Sequence, residues 1–290
     1  MIQFSSFDDL PTLRRSVALE TSFADAEENF MRSEAQVAGY CHICGRRTVL
    51  NVNGGPDFGP GYPNLREGLV CPCGAKSRDR LMMLASRDSL AIAGHTVFFG
   101  ALSGWARWAR RVHGERILFC EYFGDKAEPG QSMPVEDMQV RNEDMTRMTL
   151  GDASTDLVLH QDVMEHIPDY KAALRETLRV LRPGGATIFT APFFHLLDET
   201  FVRAAIDESG SVVHFAPPEL HGDPLVPEGI LAFYNFGWSL IDDCRDAGFE
   251  DVQIKLLYRP DLGIVSTGCP IPEANMMPVC ISAKKPARQS

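Results

Sequence analysis

The chain has 290 residues, 44% hydrophobic and 23% charged, an ordinary globular composition long enough for one large or two modest domains. Twenty-eight Lys and Arg face 39 Asp and Glu, a formal net charge of −11, which works against a general nucleic-acid-binding surface. No apolar run approaches the roughly 18 residues of a membrane span, and Met1–Asp9 lacks the basic and apolar regions of a secretory signal, so a cytoplasmic protein is expected.

Residues 9–38 read as a helix within an N-terminal helical segment, 1–38. Pro11 suits its first turn, and Leu10, Leu13, Val17 and Phe30 give a broken apolar stripe. Residues 39–80 form the next unit. Four of the eight cysteines fall here, as Cys41-x2-Cys44 and Cys71-x-Cys73, and 26 residues separate the pairs. Each pair precedes a glycine, Gly45 or Gly74, free to take the positive φ that a cysteine knuckle needs. Without an export signal such a cluster reads as metal ligands before disulfides. Four thiolates close a tetrahedral shell, which suits structural zinc. Four buried thiols, or one pair with His42 in a mixed shell, are the alternatives. The Gly/Pro-rich stretch from Asn53 to Gly61 can be neither helix nor central strand. Residues 77–91 read as a second helix. Cys120, Cys244, Cys269 and Cys280 are scattered and read as small apolar residues.

From residue 95 short apolar runs alternate with amphipathic stretches. Strands are expected at 96–99, 116–120, 156–160 and 186–190, and helices at 105–112 and 169–181. A helix over 237–247 and strands over 251–258 and 278–284 follow. There is no internal repeat. This alternation argues for a parallel sheet covered on both faces, forming a domain over 81–285 with a tail at 286–290. Gly100 and Gly104 lie in the first strand-to-helix turn, where backbone must approach a ligand closely. Glu121 lies 21 residues after Gly100 and beside Tyr122, where an acid can take the two ribose hydroxyls of a nucleotide-like ligand.

More specific are Asn142-Glu143-Asp144-Met145, then Asp156-Leu157-Val158-Leu159-His160 running on through Val163-Met164-Glu165-His166-Ile167-Pro168-Asp169, then Arg179-Val180-Leu181-Arg182-Pro183-Gly184-Gly185. In this order they resemble the class I S-adenosylmethionine-dependent methyltransferases, in particular their small-molecule branch, over about residues 95–285. The resemblance implies a Rossmann-like, seven-stranded, mostly parallel α/β sheet with helices on both faces and an antiparallel last strand. It implies S-adenosylmethionine as cofactor. Gly100 and Gly104 then match the turn beside its amino-acid portion, Glu121 with Tyr122 the ribose site, and Asp144 with Met145 the adenine site. His160 and Gln161 match the cleft-lining end of the fourth strand. The family's turn usually has an acid just before the first glycine and a third glycine between the other two. Here Phe98-Phe99 and Ala101-Leu102-Ser103 stand there. Gly184-Gly185 reads as a helix C-terminus opening a central strand. The cysteine unit is similar to one carried by some bacterial methyltransferases, Cys71-Pro72-Cys73-Gly74 being one residue short in its second pair.

Methyl transfer asks the protein mainly for positioning, plus a base where the acceptor is a hydroxyl or ammonium. His42, His95 and His113 lie far along the chain from the cleft, and His166 reads as structural. The insertion 194–236 mixes aromatics, histidines and carboxylates over the cleft mouth. His221 and His195 are its candidate bases, with Asp223 or Glu219 as the acid fixing the His221 tautomer. The reading is a zinc-stabilised methyltransferase acting on a small-molecule acceptor, a hydroxyl (O-methylation). Two alternatives stand beside it. One is an RNA methyltransferase gripping its substrate with the zinc module, for which Arg66, Lys76, Arg78 and Arg80 offer a local basic strip. The other is a non-catalytic binding protein on the same fold. A dehydrogenase fits less well, because Gly-x-Gly-x-x-Gly is absent. The sequence leaves the acceptor's identity and the oligomeric state open.

Overall fold

A computed structural model describes residues 2–53, 63–223 and 225–287. Gly54 to Gly61 of the Gly/Pro-rich stretch, Pro224 in the turn after His221 and the end of the tail lie outside the described residues.

Strand β1 (Ser5–Phe7) leads into helix α1 (Leu10–Ser33). The Asp9 side chain caps the helix by accepting from the Thr12 N–H at 2.8 Å, satisfying an amide that has no intrahelical partner. Leu13, Val17, Ala24, Glu28 and Met31 share the buried face, and helical spacing puts Phe30 off it. Phe30 is exposed, contrary to its place in the expected stripe. Buried Glu28 is satisfied by the Ser266 N–H and hydroxyl, each at 2.9 Å. The helix stops short of residue 38 because β2 (Gln36–Cys41) starts an antiparallel hairpin with β3 (Arg46–Val52). After the one-turn helix α2 (Leu65–Gly68), β4 (Leu69–Val70) pairs with β3. Val37, Leu50, Leu65 and Leu69 form a small core under this sheet together with Met31 of α1.

Helix α3 (Ser77–Ile92) enters the main layer. There follow β5 (Thr96–Phe99), α4 (Gly104–His113), β6 (Ile117–Glu121), β7 (Ser132–Val135), β8 (Met138–Asn142), β9 (Thr155–Gln161), α5 (Tyr170–Val180) and β10 (Leu181–Thr190). The 194–236 insertion is built from short antiparallel pairs. β12 (Ala204–Ile206) pairs with β13 (Val212–His214) and β14 (Leu220–His221) with β15 (Ile230–Leu231), while β11 (Phe201–Val202) pairs with β16 (Tyr234–Asn235). Helix α6 (Ser239–Asp246) and strands β17 (Glu250–Leu256) and β18 (Val279–Lys284) complete the chain.

The main sheet runs β1-β17-β18-β10-β9-β5-β6-β8-β7. The central five, from β10 to β8, are parallel, and β18 is antiparallel to both its neighbours. The expected seven strands are present, with an antiparallel strand added at each edge, so the sheet has nine. Alternate residues face opposite layers. Val97, Phe99 and Val158 pack with residues of α1, α5 and α6, while Phe98, Leu157 and Leu159 pack with α3 and α4. The Arg182-Pro183-Gly184-Gly185 turn differs from expectation. Helix α5 ends at Val180 with extended Leu181 as its cap, and the glycines lie in an irregularity of β10 between Leu181 and Ala186. A Cβ on Gly185 would meet the Arg182 and Asp156 carbonyl oxygens at 2.9 Å, which is why that position excludes a side chain.

Candidate active site

A cavity of about 580 Å³ opens outside the C-terminal ends of β5, β6 and β9, where ligands sit in open parallel sheets. Gly100, Gly104, Glu121, Tyr122, Asp144, Met145 and Gln161 all line it. Gly100 has φ +108°, a backbone state that L side chains avoid. At Gly104 an added Cβ would fall 2.6 Å from Oδ2 of Asp79. Asp79 comes from α3, is buried, and accepts from the Lys76 N–H at 2.8 Å and from Nε2 of Gln161 at 2.9 Å.

Glu121 closes β6. Burial pushes its carboxyl up, Asp223 across the cavity adds to this, and the Ala101 and Leu102 amides pull the other way, leaving it at about 7. Asp144 accepts from the Thr146 N–H at 2.8 Å and hydroxyl at 2.7 Å. Glu143 beside it is fully spoken for by Arg141 and Thr149.

Two expected residues stand elsewhere. His160 does not line the cavity. It points to the opposite face of the sheet from Gln161, buried and stacked on Phe189 with ring centroids 4.4 Å apart, and burial lowers it to about 3. His195 is also buried away from the cavity. The Phe193–Phe236 bridge carries the chain towards α1, where Nε of Arg14 donates to the His195 carbonyl at 2.9 Å.

His221 does line the cavity, with Gly222 and Asp223. Its Nε2 lies 3.0 Å from Oε1 of Glu219. Burial opposes protonation, but Glu219 and Glu165 outweigh it and raise this imidazole above its ordinary range. His166 meets it edge to face at 5.0 Å, and Nδ1 of His166 pairs with the Leu231 carbonyl at 2.9 Å. Burial lowers His166 to about 4. Glu165, wholly buried behind the two rings, is raised by burial to about 8.

The expected basic strip is spent inside the molecule. Asp162, next to Gln161, takes both carboxylate oxygens to Arg66 at 2.7 Å and Oδ2 to Arg78 at 2.5 Å. It has φ +51°, held by its N–H on the Thr190 carbonyl at 3.0 Å and by the Thr190 hydroxyl at 2.8 Å. Burial pushes Asp162 up, and the two guanidinium groups overcome this and hold it far below the carboxylate range. Glu67 pairs with Lys76, Arg66 and Arg78. Arg80 is fully buried and donates to the carbonyls of Leu69, Ala75 and Gly263. Gly74, Lys76, Arg78 and Asp79 thereby become one wall of the cavity, which the sequence did not reveal.

Beside that wall the four sulfurs of Cys41, Cys44, Cys71 and Cys73 converge, all within 4.8 Å of one another. Cys41 and Cys73 are 3.8 Å apart, and Cys44 and Cys71 are 3.7 Å apart. Gly45 and Gly74 have φ +70° and +84°, and their N–H groups return to the Cys41 and Cys71 carbonyls at 2.8 Å.

A dimethylglycine N-methyltransferase of Parasynechococcus marenigrum is 30% identical over 147 residues, 49% of this chain and 52% of that protein. A probable S-adenosylmethionine-dependent methyltransferase of Mycolicibacterium smegmatis is 36% identical over 55 residues, 19% and 21% of the two chains. The chain thus spans about half the length of the first relative and about a fifth of the second. Among solved structures, an S-adenosylmethionine-dependent methyltransferase from Mesorhizobium loti aligns at TM-score 0.41 and 17% identity, over 69% of this chain and 98% of that one. Residues 115–189, from the start of β6 almost to the end of β10, match the methyltransferase domain family.

Proposed function

We propose that the chain is an S-adenosylmethionine-dependent methyltransferase whose acceptor is a small molecule methylated on a hydroxyl. The observation that supports this best is the cavity at the strand ends, with Glu121 and Asp144 on its wall. When bound, the cofactor supplies an electrophilic methyl group. Glu121 would accept the ribose hydroxyls, Asp144 would accept from the adenine amino group, and Met145 would pack on the ring. Asp79, standing against Gly104, would provide the acid that the turn's own sequence lacks. His221, oriented by Glu219, would take the acceptor's proton. A half-buried imidazole held by a carboxylate is suited to general-base work near neutral pH.

The second reading, transfer to nitrogen, rests on the name of the first relative. Against an RNA substrate stand the acidic balance and the internal pairing of Arg66, Lys76, Arg78 and Arg80. Structural zinc on Cys41, Cys44, Cys71 and Cys73 is part of the proposal. Zn–S bonds of about 2.3 Å place tetrahedral sulfurs about 3.8 Å apart, close to the Cys41–Cys73 and Cys44–Cys71 separations.

Calorimetric titration with S-adenosylmethionine and S-adenosylhomocysteine, followed by a radiolabelled-methyl screen of hydroxyl- and amine-bearing small molecules, tests this. Saturable binding of both ligands and label on a hydroxyl are expected. Absence of binding overturns the cofactor assignment, and label on amines alone overturns the hydroxyl.

A further inference from the structure

The corner formed by Glu165, His166 and His221 gathers three side chains that can each offer a ligand atom, with no hydrogen bond joining them. Oε1 of Glu165 lies 3.8 Å from Nε2 of His166 and 3.8 Å from Nδ1 of His221, too long for hydrogen bonds. Among the described residues neither Glu165 oxygen has a hydrogen-bond partner, although Glu165 is wholly buried. A buried carboxylate without partners is costly. The outer nitrogen of each ring is already committed, Nδ1 of His166 to the Leu231 carbonyl and Nε2 of His221 to Glu219. A ring that donates its N–H outward keeps a bare lone pair on its inner nitrogen. Three donor atoms therefore point at one another, all within 4.8 Å.

Two features make this more than a crowded corner. Carbonyl and carboxylate partners behind the imidazoles are what fix metal-binding histidines in their ligating tautomer. The backbone also fixes the pairing across segments, because the Phe233 N–H donates to the Glu165 carbonyl at 2.7 Å and β15 carries β14, with His221, alongside. His166 and His221 border the cavity, so the open side of the triad faces whatever the cavity binds.

We propose that Glu165, His166 and His221 bind a divalent transition-metal ion, zinc or an ion of similar preference, with its open position towards the cavity. Two imidazoles and one carboxylate leave such an ion room for a further oxygen ligand. The inference does not rest on methyl transfer. With the ion in place Nδ1 of His221 is a ligand, whereas in the metal-free chain the same nitrogen is open to a proton, so metal content decides between the two roles without an activity assay.

The test is the zinc content of full-length protein saturated with Zn²⁺ and freed of excess by gel filtration. Glu165→Gln should hold one zinc fewer per chain than the parent. The same difference should persist in a Cys71→Ser background, which separates this site from the four cysteines. Glu219→Gln, which keeps the side chain's size while removing the carboxylate behind His221 and its ion pair with Arg203, should weaken this zinc about 10- to 100-fold in a competition titration. Equal zinc content in the parent and Glu165→Gln overturns the proposal. Should Glu165→Gln fail to fold by circular dichroism, unchanged zinc affinity in Glu219→Gln overturns it.

Discussion

Glu121 must combine cover with charge. Ribose hydroxyls donate to an ionised carboxylate, and burial together with Asp223 raises this one to about 7. Below that value the group takes up a proton and loses acceptor capacity, so cofactor affinity should be full near pH 8 and about tenfold weaker near pH 6. Calorimetry across that range checks the slope, and Glu121→Gln should flatten it. Glu121→Ala should weaken S-adenosylmethionine roughly 5- to 100-fold, the cost of leaving buried partners unpaired. Glu121 and Asp144 were legible because each sits at a strand end or just past one, where chain order alone decides which side of the sheet is reached. His160 was misplaced by one residue of strand period, since its neighbour Gln161 takes the cavity face. His195 was misplaced because closeness in sequence to a strand exit does not say which way the next bridge turns the chain. Asp79 carried no local signal, as it reaches the cavity wall only because α3 lies against Gly104.

Asp162 joins three elements, β9, α2 and α3, through Arg66 and Arg78. Asp162→Asn leaves the two guanidinium groups without their main partner and should cost about 3–5 kcal/mol, as measured by urea unfolding. Its folded value lies below the unfolded one, so its stabilisation is present above about pH 4 and is lost as pH falls further. The Asn variant should lack that part of the acid loss. The cysteine unit responds differently. It has a small apolar core over β2, β3 and α2, and zinc on the four sulfurs would brace the turns at Gly45 and Gly74. Cys71→Ser should lose one zinc by elemental analysis and raise hydrogen exchange over residues 39–80, with less change in β5, β6 and β9. The strands and helices of the main layer were readable from their periodicity. The edge strands β1 and β7 were not, because short half-exposed segments show no alternation, and β8 was hidden by its polar ending at Arg141 and Asn142.

The whole molecule has an excess of negative charge, and of the cations lining the cavity Lys76 and Arg78 are turned to internal carboxylates while Arg107 donates to the Leu102 carbonyl. A polyanion should therefore meet neither attraction at long range nor free guanidinium groups at contact. Filter binding with RNA at low salt should give no tight complex, and tight binding with a steep salt dependence would restore the RNA reading. The wall formed by Gly74, Lys76, Arg78 and Asp79 also bears on inheritance. A boundary at residue 81 looks natural in the sequence, yet a sheet excised there would keep Asp162 as a buried anion stripped of both cations, and its cavity would lie open on one side. Cysteine unit and sheet can then be exchanged between related proteins only as a matched pair, and a graft of either one alone must bring along the charges of the other.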